Sequence, residues 1–128
     1  MISRQKALLV AGLAKAKKAE DIVALDMRRL SNVTDFFIIA SSSSATRSQA
    51  IADNIKEGLL KAGERISSIE GYHEACWVLI DAHDVVVHVF SSEARLFYNL
   101  EGLWIDAPRV RLCQKKIKEP SRKPSKRR

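Results

Sequence analysis

At 128 residues the chain has room for one domain, and two would each be unusually small. Hydrophobic residues make up 46% and charged residues 29%, which suits an ordinary soluble domain, while two cysteines exclude a disulfide scaffold or a Cys-rich zinc module and fit a reducing, cytoplasmic setting. The net charge of +7 is uneven: positions 109–128 hold ten Lys/Arg against the single acid Glu119, a local +9, so the first 108 residues carry −2 and the high pI does not make the domain a nucleic-acid binder.

Taken in chain order, residues 3 to about 18 are expected to form a helix. Ser3 is its N-cap and Leu9, Leu13 and Ala16 form its inner face. The lysines that break this stretch argue against a signal-peptide core, and no apolar run approaches the roughly 20 residues needed to span a bilayer. Ile22–Met27 alternates as a strand. After a polar connection, Phe36–Ala40 is an apolar run of the kind buried on both faces of a sheet. A serine run, 41–44, leads into a helix over 45–62, with Ile51, Ile55 and Leu59 on one stripe and Gly63 closing it. Ile66–Ile69 is a short strand. Cys76–Ile80 and Val85–Phe90 are the strongest strands, and the connection between them is short enough to make an antiparallel hairpin. A last helix starts at Ser91 or Ser92, buries Leu96, Leu100 and Leu103, and stops at Asp106-Ala107-Pro108. The expected fold is α/β of the α+β kind: a mixed sheet of about five strands with helices packed on it. The second strand, its helix and the third strand would form a right-handed crossover. The domain is expected to occupy 1–110, followed by a basic, disordered tail over 111–128.

Candidate chemistry is sparse. The serine run stands where an α/β protein could bind a phosphate, but it has no glycine for close backbone approach, and capping by Ser44 explains it more simply. A nucleotidyl-transferring enzyme places two acids one residue apart on a strand to hold magnesium, and no two Asp or Glu in this chain have i, i+2 spacing. Asp81 and Asp84 flank the hairpin turn and read as turn residues. His73, His83 and His88 have no metal-ligand partner at useful spacing. Strand alternation puts Cys76, Val78 and Ile80 on the face shared by Val85, Val87 and Val89, so Cys76 points into the core, away from His88, and no Cys–His dyad forms. The opposite face carries Trp77, Leu79 and Asp81 beside Asp84, Val86, His88 and Phe90, with Trp77 across from His88 and Leu79 across from Val86. That mixture suits a docking face, unless a helix covers it. Trp104 reads as a core plug, whereas Tyr98 lies off the leucine stripe.

Several segments together resemble the ribosomal silencing factor family, also called Iojap-like. They are Glu20-Asp21-Ile22, Leu25-Asp26, Val33-Thr34-Asp35-Phe36-Phe37-Ile38-Ile39, Arg47, Ala52-Asp53, Glu70-Gly71, Trp77-Val78-Leu79-Ile80-Asp81, Asp84–Phe90, and Arg95 through Trp104 with Phe97, Tyr98, Leu100, Glu101 and Leu103. The match runs from about residue 3 to Val110, and order and spacing carry it. The resemblance implies a nucleotidyltransferase-like fold without catalytic carboxylates, no catalytic residue, no cofactor and no metal. It implies a repressor that binds the large ribosomal subunit at its ribosomal protein fourteen and blocks joining of the small subunit when nutrients are scarce. It also implies a homodimer, with no membrane and no small-molecule substrate. By motif, Trp77, Leu79, Asp81, Ala82, Asp84, His88 and Tyr98 would face the ribosomal protein. Family members often have glycine where this chain has Ser42-Ser43, and commonly glycine just before Asp84, where this chain has His83. Ala82 is smaller than the apolar residue often found there. The tail is outside the family pattern; Arg111, Lys115, Lys116 and Lys118 are its candidates for RNA phosphate contacts without sequence readout. The alternative class is a nucleotide-binding or nucleotidyl-transferring enzyme.

Overall fold

The computed structural model describes residues 1–112. Its elements run α1 (Ser3–Ala16), β1 (Glu20–Asp26), β2 (Phe36–Ser42), α2 (Ala45–Lys61), β3 (Ser68–Glu70), β4 (Trp77–Asp81), β5 (Val85–Ser91), α3 (Ser92–Tyr98) and α4 (Leu100–Leu103). The five strands form one mixed sheet in the order β1-β2-β5-β4-β3. Only β2–β5 is parallel; the other pairs are antiparallel. The parallel neighbour of β2 is therefore β5, not β3. β3 lies at the far edge, beyond β4, so the chain after α2 crosses two strand positions before it re-enters the sheet.

Alternation in the central strands sorts apolar residues to two faces. Phe36, Ile38, Val78, Ile80, Val87 and Val89 lie under α1 and α2, which contribute Val10, Ala14, Ile51, Ile55 and Leu59. Leu25, Met27, Ile39 and Phe90 form a second core on the other face. This explains why Phe36–Ala40 has no polar alternation: its strand is covered on both sides. The α2 stripe is as expected, Ser44 Oγ accepts the Arg47 backbone N–H at 3.1 Å, and Gly63 follows the helix at φ +82°. Ser3 is not a cap. It is already helical, and the cap position is Ile2, without a side-chain bond. The inner face of α1 is Ala7, Val10, Ala11 and Ala14, not Leu9, Leu13 and Ala16; Leu9 and Leu13 pack at its margin and Ala16 is exposed.

The last helix is the largest departure. Asn99 adopts a left-handed conformation at φ +46°, which ends α3 and turns its own side chain to cap α4 through the Gly102 N–H at 3.1 Å. The helical phase is broken there, so Leu96 and Leu103 are 82% and 70% exposed and only Leu100 of the expected stripe packs inward. Beyond α4, Val110 N–H donates to Ala24 O at 2.8 Å, and Asp26 N–H donates to Pro108 O at 2.7 Å, so this segment lies along β1. Leu112 packs at the margin of the core under α1. Residues 113–128, including Lys115, Lys116 and Lys118 and most of the expected tail, lie outside the described residues. Among the described residues no helix is long and apolar enough to cross a membrane.

Candidate partner-binding face

The second sheet face is half roofed. Ala94, Leu100, Trp104 and Ala107 cover Leu25, Met27, Ile39 and Phe90, while Trp77 remains only half-buried. Trp104 plugs this face edge-on to Phe37, with ring centroids 6.2 Å apart. Tyr98, at the end of α3 and 48% exposed, lies against the Trp77 ring at 4.5 Å. Trp77 contacts Phe90 at 5.0 Å, and Phe37 meets His88 edge-on at 4.8 Å. Aromatic pairs at these separations add to the burial of their area.

The hairpin register differs from the expected one by one pair on this face: Trp77 stands opposite Phe90, Leu79 opposite His88, and Asp81 opposite Val86. The turn causes the difference. Ala82 N–H donates to Val85 O at 3.0 Å, so the two corner residues are His83 and Asp84. The sequence did not determine the loop length, but the face assignment survives because the shift preserves parity. Trp77 still reaches His88 diagonally, with its Nε1–H donating to His88 Nδ1 at 3.1 Å. That bond fixes the neutral tautomer with hydrogen on Nε2. Desolvation pushes the His88 pKa down to about 4, and Nε2 is buried without a partner among the described residues.

The remaining candidates separate by burial. Leu79 and Asp81 are half-buried on this face. Asp81 Oδ1 accepts the His83 N–H at 3.0 Å, and Asp84 Oδ1 pairs with Lys6 Nζ at 2.8 Å. Lys6 is itself only 3% exposed and also donates to Ala82 O at 2.5 Å. Both acids thus serve the turn. Ala82 is fully buried in the core under α1 and α2, and His88 is 4% exposed. Neither offers side-chain surface to a partner, which corrects the expectation for both. Cys76 is also corrected: it is exposed, because β4 begins at Trp77 and Ala75, at φ +62°, takes the core position before it. Strand alternation does not extend past the end of the strand. The serine run is spent locally, with Ser42 Oγ donating to Ser44 O at 2.8 Å and Ser44 capping α2. Arg111 is exposed beside α1.

Sequence reasoning gave no structural role to Arg95 and Glu101, which hold the roof of this face, or to Lys6, which holds the hairpin turn from the α1 side. Arg95 bonds Glu101 through a two-pronged contact at 3.0 and 2.9 Å and reaches Ser41 Oγ at 2.9 Å. The guanidinium holds the Glu101 carboxyl below the usual carboxylate range. Opposite charges at i and i+6 across a helix break give no periodic signal, so only the Asn99 turn brings them together.

A mixed five-stranded sheet with two long helices on one face and a half-open aromatic cluster on the other defines a small α+β domain whose candidate site is a contact surface. The chain belongs to the ribosomal silencing factor family: the family model described as "Ribosomal silencing factor during starvation" matches residues 2–128. It is 51% identical over 96 residues to Ribosomal silencing factor RsfS of Halalkalibacterium halodurans, covering 75% of this chain and 82% of that one. It is 48% identical over 106 residues to the protein of the same name from Bacillus subtilis, covering 81% and 90%. A crystal structure of a Chromobacterium violaceum protein superposes with a TM-score of 0.80 at 34% identity, covering 81% of this chain and 87% of that one. Family membership makes the chain a regulator of translation by class.

Proposed function

We propose that this chain represses translation by binding the large ribosomal subunit at its ribosomal protein fourteen, so that the small subunit is sterically kept from joining when nutrients are scarce. The observation that carries this reading is the Trp77–Tyr98 pair, ring centroids 4.5 Å apart and tilted by 45°, at the open end of a half-roofed sheet face. A half-exposed aromatic pair already in contact offers large contact area at little cost in side-chain entropy, and such residues dominate interface energetics. Leu79 extends the apolar area. Asp81 supplies rim charge suited to a basic partner, whereas the Asp84 carboxylate is paired with Lys6 of α1 and shapes the turn from the other side of the sheet. Ala82 and His88 act from beneath, as filler and as the acceptor that orients Trp77. In this reading no side chain is catalytic and no cofactor is needed. The protein works in the cytoplasm and self-associates as a homodimer, and Arg111, Lys115, Lys116 and Lys118 add RNA phosphate contacts.

Sucrose-gradient sedimentation with isolated subunits tests the reading. The protein should travel with large subunits and not small ones. Tyr98→Ala, which empties no core, should melt close to wild type yet bind about 30-fold or more weakly, the usual loss for an aromatic hot spot. Unchanged cosedimentation of this variant would remove the aromatic face from the site. Magnesium-dependent nucleotide heat in calorimetry would favour the enzyme alternative.

A further inference from the structure

Tyr98 sits on a poorly anchored element. α3 has seven residues, α4 has four, and neither contains a fully buried residue. Helices this short do not persist in water without tertiary contacts. Apart from the Tyr98 ring against Trp77, the apolar attachment is the partly buried Ala94, Leu100 and Trp104. Leu96, Phe97 and Leu103 point to solvent, at 82%, 81% and 70% exposure.

Ser91 Oγ caps α3 at the Ala94 N–H at 3.1 Å, and one guanidinium ties both short helices to β2. Arg95 belongs to α3 and Glu101 to α4, on opposite sides of the Asn99 break. Arg95 Nε donates to Glu101 Oε1 at 3.0 Å and Nη2 to Oε2 at 2.9 Å, while Nη1 donates to Ser41 Oγ at 2.9 Å. Ser41 is 4% exposed, near the end of β2, and the Arg95 side chain is 11% exposed. A planar fork that engages both carboxylate oxygens fixes direction as well as distance, which a lysine ammonium does not. Three elements are thereby held at one point, and Tyr98 lies between the arginine and the break.

We propose that Arg95 is a positioning residue that clamps α3 and α4 to β2 and so keeps Tyr98 on Trp77. Its consequence for the ribosome rests on the preceding reading of that face; its consequence for Tyr98 does not. The test uses full-length Arg95→Met, Arg95→Lys and Glu101→Gln. The first readout is the nuclear Overhauser contact between the Tyr98 and Trp77 rings, with amide exchange over residues 94–104. The second is cosedimentation with large subunits. In Arg95→Met the ring contact should disappear, exchange should quicken at least tenfold, melting should shift by only a few degrees, and large-subunit affinity should fall tenfold or more. Arg95→Lys should behave closer to Arg95→Met than to wild type, because charge without the fork does not set direction. An intact Tyr98–Trp77 contact in Arg95→Met overturns the proposal. If Arg95→Met does not fold, Glu101→Gln decides: a weakened ring contact supports the clamp and an unchanged one overturns it. If the ring contact is lost while cosedimentation is unchanged in both Arg95→Met and Tyr98→Ala, the clamp stands and the assignment of the ribosome-binding face falls.

Discussion

His88 has two ring nitrogens with different fates, and the difference makes stability depend on pH. Nδ1 accepts from Trp77, Nε2 is buried without a partner among the described residues, and burial holds the pKa down to about 4. In an unfolded chain histidine titrates near 6.5. Between these values the unfolded state binds the proton and the folded state refuses it, so stability rises with pH across that window. The His88 contribution is complete above about pH 6.5 and is lost as pH falls toward 4, at up to about 1.4 kcal/mol per pH unit. Urea titrations at steps from pH 7 to pH 4 should show this decline, and His88→Phe should flatten it; an equal decline in both proteins would place the sensitive group elsewhere. Lys6 is the second residue whose burial demands its partners. Its Nζ reaches Ala82 O, Asp84 Oδ1 and, at 3.2 Å, Glu64 Oε1. Lys6→Met keeps the apolar stem but strands a carbonyl and two acids. Asp84 retains solvent contact at 38% side-chain exposure, so the expected cost is moderate, about 1–3 kcal/mol by chemical denaturation. Amide exchange should rise first at 82–86.

Two tight places fix the β4–β5 element, and they respond oppositely to substitution. Gly71 has φ +75°, and a Cβ built there would lie 2.2 Å from the Trp77 carbonyl oxygen. Gly71→Ala must therefore push back the strand that carries Trp77, with an expected loss of about 1–3 kcal/mol and weaker large-subunit binding. His83 holds a left-handed corner at φ +72°, a conformation that costs a side-chain-bearing residue about 1–2 kcal/mol. Glycine relieves that strain but adds unfolded-chain entropy, so His83→Gly should gain about 0.5–1 kcal/mol with binding retained. Denaturation midpoints for the two variants check both signs. Elements with one strong period were legible in the sequence: β2, α2, β4 and β5 stand within a residue or two of their expected limits. The limits of α1, β1 and β3 also stand within about two residues of expectation, and what failed did so for identifiable reasons. A left-handed Asn99 inside an apolar helical pattern carries no periodic mark, so one helix was read where two exist. The positive φ of Ala75 ended strand alternation before Cys76, and a two-residue corner with no glycine concealed the hairpin register.

At the scale of the whole molecule, charge and shape divide at the end of the described chain. Positions 113–128 carry eight Lys/Arg (115, 116, 118, 122, 123, 126, 127, 128) against Glu119, a net +7 that equals the net charge of the entire protein, so residues 1–112 are balanced. A neutral domain gains little from long-range attraction to RNA, and whatever salt-dependent affinity the protein has for a ribosomal particle must come mostly from this segment. Shape-specific recognition falls, in the proposed reading, to the Trp77–Tyr98 face, whose apolar aromatic contacts are insensitive to ionic strength. Leu112 packs at the margin of the core, so the informative truncation begins after it. Deleting 113–128 should leave the melting temperature within a few degrees of wild type. Large-subunit binding should weaken modestly at low salt and become much flatter against salt concentration, so that full-length and truncated proteins converge as ionic strength rises. Tyr98→Ala should do the reverse, lowering affinity by a similar factor at every salt concentration and leaving the slope unchanged. Sedimentation binding curves for the three proteins at four salt concentrations separate the two contributions. Complete loss of binding by the truncated protein at low salt would make the tail, and not the sheet, the recognition element.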